Sequence, residues 1–294
     1  YIGVEMAKKQ GKKKKDKVIE PQYYVSATNM RTYNYKVYHM PVYEKILFFL
    51  LAFAVGAGVG YLFYGGIGKD AYGQPTKITY CLNVIIPGII GIIAGKMIIP
   101  IRTESVIKKQ KNKLSLQFRD MLEALSTSLG AGKNVTDSFK STYEDLKMQY
   151  EEGAYILNEL EVILTGMDNN IELEELLLDF GKRSGNEDIE SFAKVFEICY
   201  RKGGNIKETI RTTYEILSDK MEIAEEIETT LTANKSEQNI MIVMPVLLIA
   251  MIKGMSADFA ANFVTATGII STTIAIGIFV AAYFVGKKIL NIKV

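Results

Sequence analysis

The sequence predicts an all-α integral membrane protein, with four transmembrane helices arranged as two hairpins that flank a cytoplasmic bundle of about six helices. Three observations predict it. Charge-free apolar runs occupy Ile46–Ile67, Ile78–Gly95, Asn239–Ile252 and Phe259–Gly286, in two pairs. Between the pairs, Arg102–Gln238 is rich in charge and carries only the three-and-four spacing of amphipathic helices. Basic residues collect before the first run and after the second and fourth. Composition agrees: of 294 residues, 48% are hydrophobic, and the longest apolar stretches are these four runs.

The chain divides at these changes of composition. Residues 1–45 form a basic tail, 46–101 a first transmembrane hairpin, 102–238 the bundle, and 239–294 a second hairpin with a short C-terminus. A helix needs roughly 20 apolar residues to cross a hydrocarbon core of about 30 Å. The first two runs meet that length. The third is short and is expected to reach it by snorkelling Lys253 to the interface. The fourth is longer than needed and is expected to begin or end outside the core, or to tilt.

Charge sets the orientation. Lys8, Lys9, Lys12, Lys13, Lys14, Lys15, Lys17, Arg31, Lys36 and Lys45 precede the first run, and Lys96, Arg102, Lys108, Lys109, Lys111, Lys113 and Arg119 follow the second. The connections Gly65–Lys77 and Lys253–Ala257 are poor in charge. The positive-inside rule therefore places both termini and the central block in the cytoplasm, at the cell membrane. The block carries 18 Lys/Arg against 27 Asp/Glu, a net of −9, and the tail 10 against 4, a net of +6. An acidic body repels nucleic acid, so no nucleic-acid partner is expected. Membrane lipids are the nearer partner for the tail. A solvated, disordered tail is the competing reading. Cys81 and Cys199 lie in different environments, cannot plausibly pair, and read as small buried residues.

Within the block, Leu114, Phe118, Met121, Leu122, Leu125 and Leu129 form one apolar face, which Gly130 is expected to end as a left-handed cap. Asn134 or Thr136 caps a second helix bearing Phe139, Tyr143 and Leu146. Ile156, Leu160, Ile163 and Leu164 mark a third, broken at Asn169-Asn170, and Leu173, Leu176, Leu177 and Phe180 a fourth. Asn186 caps a fifth, with Ile189, Phe192, Val195, Phe196 and Cys199, which ends at Gly203-Gly204. The sixth starts at Ile206 and meets no Gly or Pro until Pro245, so it is expected to run on into the third span as a rigid lever.

Catalytic chemistry is sought and not found. Gly130-Ala131-Gly132-Lys133-Asn134 has the look of a phosphate-binding loop, but it follows a helix and has Asn where Ser or Thr belongs. It reads as a helix-terminating turn. His39 is alone, so neither a metal site nor a nucleophilic triad assembles around it. Glu172, Glu174, Glu175, Asp179, Glu187, Asp188 and Glu190 sit where negative charge complements helix N-termini, and read as a solvated face. No cofactor or metal is expected, and the chain is not expected to be an enzyme. Asn83, Thr265, Thr267, Ser271, Thr272 and Thr273 within the spans are expected to bond across helices, and Gly56, Gly58, Gly60, Gly88 and Gly91 to let helices approach closely.

Several stretches resemble a known family. Phe118-Arg119-Asp120-Met121-Leu122-Glu123-Ala124-Leu125 leading to Leu129-Gly130-Ala131-Gly132 resembles the opening of the type II secretion system F domain. Arg183-Ser184-Gly185-Asn186-Glu187-Asp188-Ile189, through Phe192 to Arg201-Lys202-Gly203-Gly204-Asn205, is similar as well. So are Ile223 to Glu237, Ile240-Met241, Met244-Pro245 and the C-terminal Lys287 to Val294. The resemblance covers about residues 78 to 294 and, with one copy of the domain, is nearest the TadB branch of tight-adherence (Flp) pilus systems. It implies an inner-membrane platform protein for pilus assembly and protein secretion, working with a hexameric secretion ATPase, a paralogous platform protein and pilin subunits, and expected to be homo-oligomeric. Gly130, Gly132, Gly203, Gly204 and Asn205 are the candidate ATPase contacts, because such turns lie at bundle ends. Glu237, just before the third span, is a candidate hinge or partner residue. The alternative is a membrane transporter or signalling receptor. The short outer connections argue against a receptor, and the absence of carboxylates within the four runs argues against a transporter.

Overall fold

The computed structural model describes residues 20–25, 30–68, 74–255 and 257–290. Two short strands, β1 (Tyr23–Val25) and β2 (Arg31–Tyr33), pair antiparallel with Tyr23 opposite Tyr33. Nine helices follow among the described residues: α1 (Val42–Tyr64), α2 (Lys77–Gly130), α3 (Val135–Gln149), α4 (Tyr155–Asp168), α5 (Leu173–Ser184), α6 (Glu187–Lys202), α7 (Ile206–Met255), α8 (Ala257–Asn262) and α9 (Ala266–Leu290). Four of them, α1, α2, α7 and α9, are long and apolar enough to cross a membrane.

Two helices dominate the architecture. α2 has 54 residues and α7 has 50, so at 1.5 Å per residue they span about 80 and 75 Å. Each is apolar over one membrane thickness and amphipathic over the rest. The continuity of α7 agrees with the sequence. In α2 the change of composition at residue 101 lies inside an unbroken helix, which carries Pro87 and Pro100 within it. The fourth apolar run divides at residues 263–265, so its excess length becomes the separate α8.

α1 lies along the first part of α2 because glycine removes the side chains between them. A Cβ built at Gly91 would sit 2.8 Å from the Phe53 ring and 2.9 Å from the Phe53 backbone oxygen. Below, Glu44 on α1 faces Arg102 on α2 at 3.9 Å. At the other end, Gly66 N–H donates to the Asn83 side chain at 2.8 Å, so this mid-run asparagine does bond across elements. The Lys253 ammonium donates to the carbonyls of Leu62 and Phe63 at 2.6 and 3.4 Å, two of the acceptors the end of α1 leaves unsatisfied. Cys81, expected to be buried, is exposed on the surface of α2.

The polar body is built on one core. Leu114, Phe118, Met121, Leu122 and Leu125 of α2 meet Phe139 and Leu146 of α3, Ile156 and Leu160 of α4, Leu177 and Phe180 of α5, Phe192 and Phe196 of α6, and Ile210 and Leu217 of α7. Each such side chain, removed from water, contributes roughly 1.5–3 kcal/mol. Caps form largely where the sequence places them. Asn134 accepts from Asp137 N–H at 2.8 Å, and Asn186 from Asp188 N–H at 2.8 Å. One cap is displaced: Gly130 is the last helical residue of α2, and the left-handed glycine is Gly132, at φ +86°.

The core has a member from outside the helices. Tyr35, in the segment expected to be a solvated tail, is fully buried within it. Residues 30–41 therefore form a strap across the body, and the all-α expectation fails here. The lysines at positions 8 to 17 lie outside the described residues.

Candidate functional site

The topology groups the glycine turns. α2 leaves the spans and ends at Gly130, while α7 begins at Ile206 and runs back to them, so the turns at 131–134 and 203–205 share the end of the body farthest from the spans. No neighbour lies within 4 Å of a Cβ built at Gly130, Gly132 or Gly203, which leaves those positions open. Gly204 differs, with Cys199 3.2 Å from such a Cβ. Gly203 takes φ +72°, a conformation that strains any side-chain-bearing residue. The Asn205 side chain accepts from Glu208 N–H at 3.2 Å and so caps α7.

Glu237 belongs to another region. It is exposed on α7, and 31 residues of helix, roughly 45 Å, separate it from the Gly203 turn. The sequence-predicted residues thus form a glycine-lined end and a distant carboxylate, not a single pocket.

The most elaborate polar arrangement is one that sequence reasoning missed. Arg183 donates to both Glu159 oxygens at 2.9 and 2.7 Å, to Asp179 at 2.6 Å, and to the Tyr33 carbonyl at 3.0 Å. Tyr35 O–H donates to Glu159 at 2.9 Å, and Tyr35 N–H to the Arg183 carbonyl at 3.0 Å. Arg183 is 6% exposed and Glu159 2%. Local structure aims these groups. Asp179 and Arg183 are four apart on α5, Arg183 sits in its last turn where positive charge is favoured, and Gly185 at φ +60° turns the chain away. Burial opposes the charge on Arg183, but Glu159 and Asp179 outweigh it and hold the guanidinium firmly protonated. The arrangement can fasten the strap to the body. A cleft of about 280 Å³ opens beside it, lined by Glu20, Tyr24, Asn34, Lys36, Asp179 and Lys182.

The acidic residues assigned to a solvated face also split. Glu174 is buried and pairs with Arg201 at 3.2 Å, whereas Glu190 pairs with Lys194 at 2.7 Å on the surface. His39 is exposed. Among the described residues, no group of three or more His, Cys, Asp or Glu side chains is placed to hold a metal ion.

The strap should make the body sensitive to alkali. Burial first, and then the Glu159 carboxylate, push the Tyr35 phenol well above its usual range. A raised phenol pKa means that stability is fully present below the unfolded value near pH 10 and is lost as pH rises towards the folded value. Tyr150, raised by burial and by its hydrogen bond to Asp120, acts in the same direction. Denaturant unfolding of the parent and of Tyr35→Phe between pH 8 and 11.5 should show the stability difference narrowing above pH 10, by up to about 1.4 kcal/mol per pH unit. Parallel profiles would refute the buried-phenol account.

No family model, curated protein or solved structure matches the chain.

Proposed function

We propose that this chain is a non-enzymatic inner-membrane platform of the TadB-like, type II secretion system F domain kind, coupling a hexameric cytoplasmic ATPase to pilin extraction and filament assembly. The observation that carries this reading is the pair of unbroken helices, α2 and α7, that join one polar body to the spans. A body on two stiff supports transmits a push or turn into the bilayer, and the glycine-lined end lies farthest from it, where a peripheral motor has access. The resemblance in the segments beginning at Phe118 and Arg183 names the motor and the cargo.

The test is co-purification of the full chain in detergent with the secretion ATPase of its own pilus system. Gly130→Arg puts a bulky cation at the open end without backbone strain, because Gly130 is helical and unobstructed. It should weaken the association at least tenfold while the variant elutes as the parent does. Unchanged association, together with normal pili in a deletion strain, would remove the platform reading.

A further inference from the structure

We propose that Lys253 pins the two hairpins together at the end of the spans away from the body, and so sets the fulcrum about which α7 tilts. The inference deepens the platform reading and rests on it for the motion.

The first hairpin is the fixed side. A Cβ built at Gly56 would lie 2.8 Å from the Ala94 Cβ, one at Gly60 3.1 Å from the Pro87 Cα, and one at Gly95 2.6 Å from the Phe49 ring. α1 and α2 are therefore in close contact from Phe49 to Gly60, and neither tilts against the other without displacing these groups.

The second hairpin is joined to the first at one place. The Lys253 ammonium, in the last turn of α7, donates to the Leu62 and Phe63 carbonyls and lies 4.9 Å from the centre of the Phe263 ring. Beside it, the Tyr64 and Thr273 hydroxyls are 3.0 Å apart. Among the described residues these are the hydrogen bonds that link the hairpins, and they fall on three consecutive residues of α1. The need is mutual. An ammonium within a span is costly without acceptors, while the last carbonyls of α1 lack donors within their own helix and lie at the negative end of its dipole. Burial marks the same place. Phe63 is 9% exposed and Thr272 8%, and Thr272 is the one buried residue of α9 among those described.

Between the body and this latch α7 is loosely held. From Ser218 to Ile252 none of its described residues is buried. Gln238 donates to the Tyr283 carbonyl at 3.4 Å, which ties α7 to α9 of its own hairpin and not to the first. A strut of 36 residues, about 55 Å, thus runs from Leu217 in the core to one fixed point. A displacement of the body tilts such a strut about that point. Ile240 lies 13 residues from Lys253 and Met255 two, about 20 and 3 Å, so a tilt moves Ile240 about six times as far.

The experiment measures spin-label distances in the full chain in liposomes, with Cys81 and Cys199 replaced by serine. One labelled pair, Tyr61→Cys with Met255→Cys, brackets the latch. The other, Leu47→Cys with Ile240→Cys, samples the same two helices nearer the body, and all four positions are exposed. The expected result is a distance distribution at least twofold narrower at the latch pair. Adding the secretion ATPase and ATP should shift the inner pair several times as far as the latch pair. Lys253→Met should widen the latch pair to the width of the inner one, and Lys253→Arg, which keeps a cationic donor, should stay near the parent. Equal widths at the two pairs in the parent would overturn the proposal, a comparison that holds even where Lys253→Met fails to fold. So would a latch pair that shifts as far as the inner pair with ATP. A latch pair that stays narrow in Lys253→Met, with only the melting temperature lowered, would leave Lys253 a stabilising residue and no fulcrum. An ATPase that does not bind removes the platform reading alone, because the nucleotide-free widths do not depend on it.

Discussion

Replacing Arg183 with methionine should lower the stability of the body by about 3–5 kcal/mol, the usual penalty for removing one member of a buried ion pair. Glu159 would be left 2% exposed with no cation beside it, and the Tyr33 carbonyl would lose its donor. Removing both charges is a different matter. Glu159→Met with Arg183→Met replaces a buried pair by apolar volume, so the double variant should be more stable than Arg183→Met alone. A double-mutant cycle by denaturant unfolding in micelles measures this, and limited proteolysis near residues 26–41 reports whether the strap has come free. Additive effects would mean that the pair is not coupled. An intact strap in Arg183→Met would mean that β2 and Tyr35 hold without it.

That network shows where sequence reading stops. The spans, the helical body, most caps and the continuity of α7 follow from short-range signals: apolar run length, three-and-four spacing, and Asn or Gly at helix ends. The Asp179–Arg183 pair lies four apart and is legible in the same way. Glu159 is not, because it is 24 residues from Arg183 and nothing local marks it as the carboxylate turned inward. The strap was obscured by its neighbours: a lysine-rich stretch makes the whole of residues 1–45 read as tail. One signal was available. Six tyrosines lie between Tyr23 and Tyr43, and disordered segments are poor in aromatics. Tyr33, Tyr35 and Tyr155 in fact cluster, with ring centroids 5.0–5.9 Å apart. The span of α2 was hidden for another reason. Pro100 and the onset of charge at Arg102 look like a domain boundary, yet composition changes there and the backbone does not.

The continuity of α7 leads to the second large effect. If the proposed platform reading holds, inserting four Gly-Ser residues after Thr232 should abolish filament assembly while leaving the body folded and the ATPase bound. Thr232 is exposed and far from the core, where Leu217 is the last buried residue of α7 among the described residues, so the fold loses little beyond the helix propensity of the insert. Mechanical coupling, by contrast, depends on the helix there. A helix transmits displacement and torque because each residue is fixed by hydrogen bonds one turn away, and a flexible segment absorbs both. The same insertion in the α8–α9 connection, within residues 263–265, lies beyond the span and should leave assembly near the parent level. Pilus counts by electron microscopy, read beside ATPase co-purification, separate the outcomes. Normal pili with the α7 insertion would show that α2 alone carries the motion, and would shift the lever to the helix whose length the sequence conceals. Loss of pili with the α7 insertion and none with the outer one would identify α7 as the transmitting strut.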